Sequence, residues 1–184
     1  MGIRAFVSAV LVAFIVGDIY RENRMGKPWA SVVSKVQAPV QNFLRPAVWV
    51  PGLRNLHSHR ETWTLPSDSH QNNLESVLGA LMTVIKEDKS GSFWDVQKND
   101  LQVARGFIRV FVYTRAEWLD IIELTFKGTE VQVWSFSSGF LPLFIPFACV
   151  LNVPLFWIPF LDNGLNKHRI NKIVKAMDVS VDRH

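Results

Sequence analysis

The sequence predicts an α+β fold, an antiparallel β-meander packed by two helices, with an N-terminal transmembrane helix and an apolar hairpin insertion. Three observations predict it. Strand-like runs succeed one another from Phe93 to Phe136 with only short turns between them. Apolar stripes at helical spacing flank that block on both sides. Two charge-free apolar runs, Ala5 to Gly17 and Gly139 to Leu161, stand outside any ordinary core pattern.

Residues 1–20 contain the first of these runs. As a helix, Ile3 to Ile19 would extend roughly 25 Å, a little less than a full bilayer core. The residues after the run offer no small-x-small cleavage site, so a retained anchor is expected rather than a removed signal peptide. Arg21, Arg24 and Lys27 come just after the run, against Arg4 before it, which favours a cytosolic position for the domain beyond the anchor.

Residues 21–59 read as a basic amphipathic connector. From Asp18 to Arg60 there are seven basic residues and two acidic ones, whereas Glu61 to His184 has twelve basic and fourteen acidic. A positive surplus beside a membrane helix suits anionic headgroups, and no nucleic-acid partner is expected. Trp29, Val32, Val33, Val36, Val40, Phe43 and Leu44 recur at helical spacing. The stripe fits an interfacial helix with Trp29 at headgroup depth, and equally a helix packed on the domain. Pro39 is expected to kink or break it.

Residues 60–178 read as the α+β domain. Glu61 to Leu65 alternates as a short strand, and Ser67, Asp68 or Ser69 can cap a helix running to about Glu87. Leu74, Val77, Leu78, Leu81, Met82 and Ile85 line that helix's apolar face. Strands are expected over Phe93 to Lys98, Leu101 to Thr114, Trp118 to Phe126 and Glu130 to Phe136. Asn99-Asp100 and Lys127-Gly128 supply hairpin turns. The run ending at Thr114 is apolar on both faces, so one face should meet a partner or lipid. A last helix carries Leu165, Ile170, Ile173, Val174 and Met177, and the final residues should fray.

The stretch 139–161 is divided by Pro142, Pro146, Pro154 and Pro159 into pieces too short for one spanning helix. A hairpin turning near Cys149 to Asn152 is expected instead. Phe140, Leu141, Leu143, Phe144, Phe147, Leu151, Leu155, Phe156, Trp157 and Phe160 are the residues expected to enter a membrane or a partner, the alternative being that the stretch folds back on the sheet as core.

The run from Leu101 to Gly139, together with Leu161 to Met177, resembles the domain-of-unknown-function family numbered 1499. Asp162, Gly164, Asn166, Arg169 and Ile170 match that family's D-x-G-x-N-x-x-R-I helix opening, and Asp120 stands in its acidic position. Trp134 stands where the family usually has arginine, and Ser137-Ser138 where it commonly has Ser-Arg. The apolar stretch separates two elements that the family joins by a few residues. The resemblance implies no reaction. Physically, Asp162 can cap the helix, Gly164 permits a tight turn, and Asn166 and Arg169 can tie the helix to a strand.

No phosphate-binding loop, dinucleotide fingerprint, metalloprotease helix or nucleophile elbow occurs. His57 and His59 lack supporting metal ligands and are expected to be exposed loop histidines. Asp120 and Glu123 fall on opposite strand faces and are not a paired acid and base. The single cysteine, Cys149, and the absence of an Asn-x-Ser/Thr site favour a reducing, unglycosylated compartment.

The expectation is a non-catalytic, single-pass membrane accessory subunit with no cofactor and no metal, in the endoplasmic reticulum. Its partners would be membrane lipids and a larger membrane or lipid-transfer protein, in outline similar to accessory subunits at the membrane end of bridge-like lipid-transfer proteins. The alternative is a membrane-bound enzyme or a lipid or small-ligand carrier with a pocket between sheet and helices.

Overall fold

The computed structural model describes residues 17, 28–66, 70–97 and 106–184. The expected anchor, apart from Gly17, lies outside the described residues, as do Arg21, Arg24, Lys27, the caps Ser67 to Ser69 and the Asn99-Asp100 turn. Among the described residues, no helix is long and apolar enough to cross a membrane.

A six-stranded antiparallel sheet forms the centre. Its strands are β1 (Ser58–Thr64), β2 (Phe93–Val96), β3 (Phe107–Tyr113), β4 (Leu119–Lys127), β5 (Glu130–Ser137) and β6 (Asp182–Arg183), in the order β2-β3-β4-β5-β1-β6. The expected meander is β2 to β5. Its tightest turn pairs Lys127 with Glu130 across Gly128, whose φ of 63° suits glycine. The C-terminus is not frayed: β6 pairs with β1, and Thr62 and His184 exchange backbone hydrogen bonds of 3.0 Å.

Both faces are covered over the second half of β3, most of β4 and the end of β5, which explains the unbroken apolar run of β3. One face carries two helices, α3 (His70–Glu87) and α5 (Leu165–Lys175). Val77, Leu81, Ile170 and Ile173 pack there against Trp63, Ile108, Val110, Ile122, Leu124 and Val133. The stripe of α3 is rotated from the expected one, with Ala80 and Val84 buried and Met82 exposed.

The other face is covered by the chain itself, not by a separate partner. Here lie α1 (Val32–Leu44), a 3₁₀ turn (Pro46–Val48), the short α2 (Pro51–Arg54) and the stretch 139–161 with its single helical turn, α4 (Ala148–Leu151). Ala30, Ala38, Leu143 and Ala148 close on Phe111, Tyr113, Leu119, Ile121 and Phe136. Pro39 does not end α1, which runs on to an Arg45 cap in the left-handed region. Pro39 sits on the exposed side of the helix.

Candidate functional site: a reversed helix over an apolar stretch

The stretch 139–161 is not a two-armed hairpin reaching away from the domain. It is a series of turns laid along the sheet, so its irregular backbone presents many carbonyls and amides that helix or strand would otherwise satisfy. α1 supplies partners for them. Gln37 Nε2 donates to the carbonyls of Leu143 (2.8 Å) and Ile145 (2.9 Å), and its Oε1 accepts from Cys149 N (3.3 Å). Gln41 Nε2 donates to Ser138 O (2.7 Å) and its Oε1 accepts from Asn152 Nδ2 (3.3 Å). Asn152 in turn binds both backbone groups of Leu141, accepting from N at 2.6 Å and donating to O at 3.2 Å. Gly139 is required by this clamp, because an added Cβ would collide with the side-chain amides of Gln41 and Asn152.

The turn between β3 and β4 fixes both elements from the other end. Ser31 caps α1 by accepting from Ser34 N (3.1 Å), and the Glu117 carboxylate accepts from Ser31 N (3.2 Å), Ser31 Oγ (2.6 Å) and Ser34 Oγ. A carboxylate at a helix N-terminus also complements the helix dipole. The neighbouring Trp118 Nε1 donates to Phe140 O at 2.8 Å. At the far end of α1, Arg45 grips Glu123 through both guanidinium nitrogens, and Arg109 Nε meets the same carboxylate at 2.9 Å.

These contacts leave α1 with its polarity reversed relative to a surface helix. Ser34, Gln37 and Gln41 point inward and are buried, whereas Val32, Val36, Val40 and Phe43 are exposed. Val36 is 70% exposed and Phe43 84%. The outward side of the adjoining stretch is also apolar: Phe147 is 71% exposed and Trp157 60%, with Phe144, Val150, Leu151 and Phe156 partly bare. The Trp49 and Phe156 rings, 5.6 Å apart, join the two parts. A surface helix ordinarily shows the opposite arrangement, with apolar side chains inside and amides outside.

The residues expected to enter a membrane therefore divide. Phe140, Phe144, Phe147, Leu151, Phe156 and Trp157 are exposed, while Leu141, Leu155 and Phe160 are half-buried. Leu143 corrects the expectation: it is 1% exposed and belongs to the core over β3 and β4, so it cannot enter a lipid phase. Trp29 is half-buried beside α1, with Lys35 Nζ 5.5 Å from its ring centre.

The residues of the D-x-G-x-N-x-x-R-I signature converge on the opposite face. Asp162 caps α5, accepting from Gly164 N (2.9 Å) and Asn166 N (3.0 Å). Asn166 donates to His57 O (2.9 Å) and accepts from Ser135 Oγ (2.6 Å). Arg169 pairs with Asp120, which also accepts from Ser137 Oγ, and this ion pair is buried. Glu123 lies on the other sheet face, as the alternation requires. Trp134, at the arginine position, is a platform for the Arg60 guanidinium 3.9 Å from its ring centre.

His57 is not an exposed loop histidine. It is buried, stacked on Phe160 at 4.3 Å between centroids, and burial lowers its pKa against the opposing charges of Asp162 and Asp120. Among the described residues no cluster of metal-ligating side chains occurs. A cavity of about 230 Å³ opens beside Asp120, between the signature residues and the two ends of the apolar stretch. No family model, curated protein or solved structure matches the chain.

Proposed function

We propose that the chain is a non-catalytic, membrane-seated accessory subunit that assists lipid handling or transfer. Residues 1–20 anchor it, and the outward faces of α1 and of 139–161 rest in one leaflet. The sheet is then held just above the headgroups of the endoplasmic reticulum membrane, on its cytosolic side, within reach of a larger lipid-transfer protein. The likeness of residues 60–178 to the 1499 family enters this proposal as a shared core and no more.

The reversed polarity of α1 carries the reading. Apolar side chains such as Phe43 and Phe147 each gain about 1.5–3 kcal/mol on leaving water, and several stand together here. Irregular backbone is tolerated at membrane depth only where protein satisfies it, and Gln37, Gln41 and Asn152 do so for this stretch. Trp49 and Trp157 are both exposed, as indoles at a headgroup boundary would be. The basic residues Arg21, Arg24 and Lys27 precede it in the chain, suited to anionic headgroups.

The test is affinity purification of the full chain in mild detergent, with mass spectrometry of bound lipids and proteins. Wild type should retain phospholipid and a membrane protein, and Phe43→Asp with Phe147→Asp should release both. A wild-type protein holding no lipid above a control membrane protein would contradict the proposal.

A further inference from the structure

The cavity beside Asp120 has a composition that selects its ligand. Two carboxylates, Asp120 and Asp162, and three aromatic side chains, Trp118, Phe140 and Phe160, line it, and among the described residues no lysine or arginine does. The nearby Arg169 pairs with Asp120 through Nη1, its Nη2 being buried without a hydrogen-bond partner among the described residues, and this pair leaves the Asp162 carboxylate to give the site net negative charge. That field, together with aromatic faces, attracts a cation and repels a free anion.

The hydrogen bonding decides which kind of cation. Asp162 spends one oxygen on Gly164 N and the other on Asn166 N, and Asp120 accepts from Ser137 and Arg169. A primary ammonium is strongly hydrated and must re-place three N–H donors on carboxylates that already accept two hydrogen bonds each. A quaternary ammonium has no donor to place and needs only negative potential and ring faces. The rings are held for this. Trp118 is tied to Phe140 O at 2.8 Å, Phe140 and Phe160 are 6.1 Å apart, and Phe160 is stacked on the buried His57.

We propose that this cavity binds a trimethylammonium group of the choline type. The group could come from a phosphatidylcholine headgroup or from free choline or phosphocholine. The lipid source rests on the membrane-seated reading, since Phe140 and Phe160 belong to the stretch placed at the membrane. The binding chemistry does not rest on it.

The experiment uses the full chain in choline-free maltoside micelles, titrated with choline, phosphocholine and ethanolamine by calorimetry. Choline and phosphocholine should bind saturably, and ethanolamine, whose primary ammonium loses more hydration on reaching the rings, about tenfold more weakly or worse. Trp118→Leu should weaken choline about fivefold or more while Trp118→Phe, which keeps a ring, largely retains it. Asp162→Asn should also weaken it. The titration is then repeated in vesicles of phosphatidylcholine and in vesicles of phosphatidylethanolamine with phosphatidylglycerol. Loss of the choline signal only in the first identifies the headgroup as ligand, and equal signals in both identify the free compound. Either result upholds the site. No saturable binding of choline in micelles, or ethanolamine binding as tightly, overturns it. Because micelle binding reads only the cavity, its failure leaves the placement of α1 in the membrane to be judged separately.

Discussion

The His57 imidazole is buried against Phe160, and burial holds its pKa below the ordinary 6.5 despite the nearby carboxylates of Asp162 and Asp120. The unfolded chain therefore binds a proton at His57 more readily than the folded one. Its contribution to stability is full above about pH 6.5 and is lost as pH falls from there toward the lower folded-state pKa. His57→Phe keeps the stack and removes the titration. Thermal unfolding at pH 7.5 and 5.5 should show a larger acid-induced loss for wild type than for this variant, and equal losses would refute it. The buried Asp120–Arg169 pair gives a second prediction. Arg169→Met leaves a buried carboxylate and should cost about 3–5 kcal/mol, whereas adding Asp120→Asn should recover much of that, read by urea unfolding. The cap of Asp162 was legible in the sequence because its partners lie within one helical turn of it. The burial of His57 was not, because its cover, Phe160, lies far along the chain.

At the scale of the element, α1 carries the most unusual distribution of side chains, with amides buried and apolar groups exposed. Its apolar stripe comes from spacing alone, but period gives a face without saying which way that face points. The direction is set by Gln37 and Gln41, whose partners are carbonyls and amides of a distant stretch. An i, i+4 pair of glutamines opposite an apolar stripe was the available signal, and it reads as an ordinary polar face until the carbonyls they meet are known. Replacing either by leucine strands buried backbone groups and should cost about 1–3 kcal/mol per unsatisfied group, measured by chemical unfolding. Val36→Gln on the outward side should leave stability in detergent almost unchanged. A helix of ordinary polarity would give the reverse order. Glu61 adds a pH effect at β1. Burial alone would raise its pKa, but hydrogen bonds from Arg183, Trp63 and His59 outweigh it and hold the carboxyl low. That contribution is present at neutral pH and disappears as pH falls through its lowered pKa, so β6 should detach first in acid, visible as amide exchange at His184.

For the whole molecule, the three layers explain both what the strand and helix patterns foretold and what they could not. The meander and the helices α3 and α5 were legible because alternation and helical period are local. The third layer was not, since its core residues, Leu143 and Ala148, sit in a stretch where buried, half-buried and exposed apolar side chains alternate without a regular period. Excising 139–160 would bare Phe111, Tyr113 and Phe136 as well as remove the outward face, so point substitutions are the cleaner probe. The central claim is that the outward faces of α1 and 139–161 contact lipid. The most direct measurement replaces Cys149 by alanine and places a single cysteine at 36, 43, 147 or 157, with Thr83, exposed on α3, as control. Each is labelled with an environment-sensitive fluorophore in full-length protein reconstituted in vesicles, and quenched from lipid or from water. Labels at 36, 43, 147 and 157 should be blue-shifted and quenched by spin-labelled lipid, and the label at 83 by iodide. If all five respond to iodide alike, those faces are not in the membrane and the account fails.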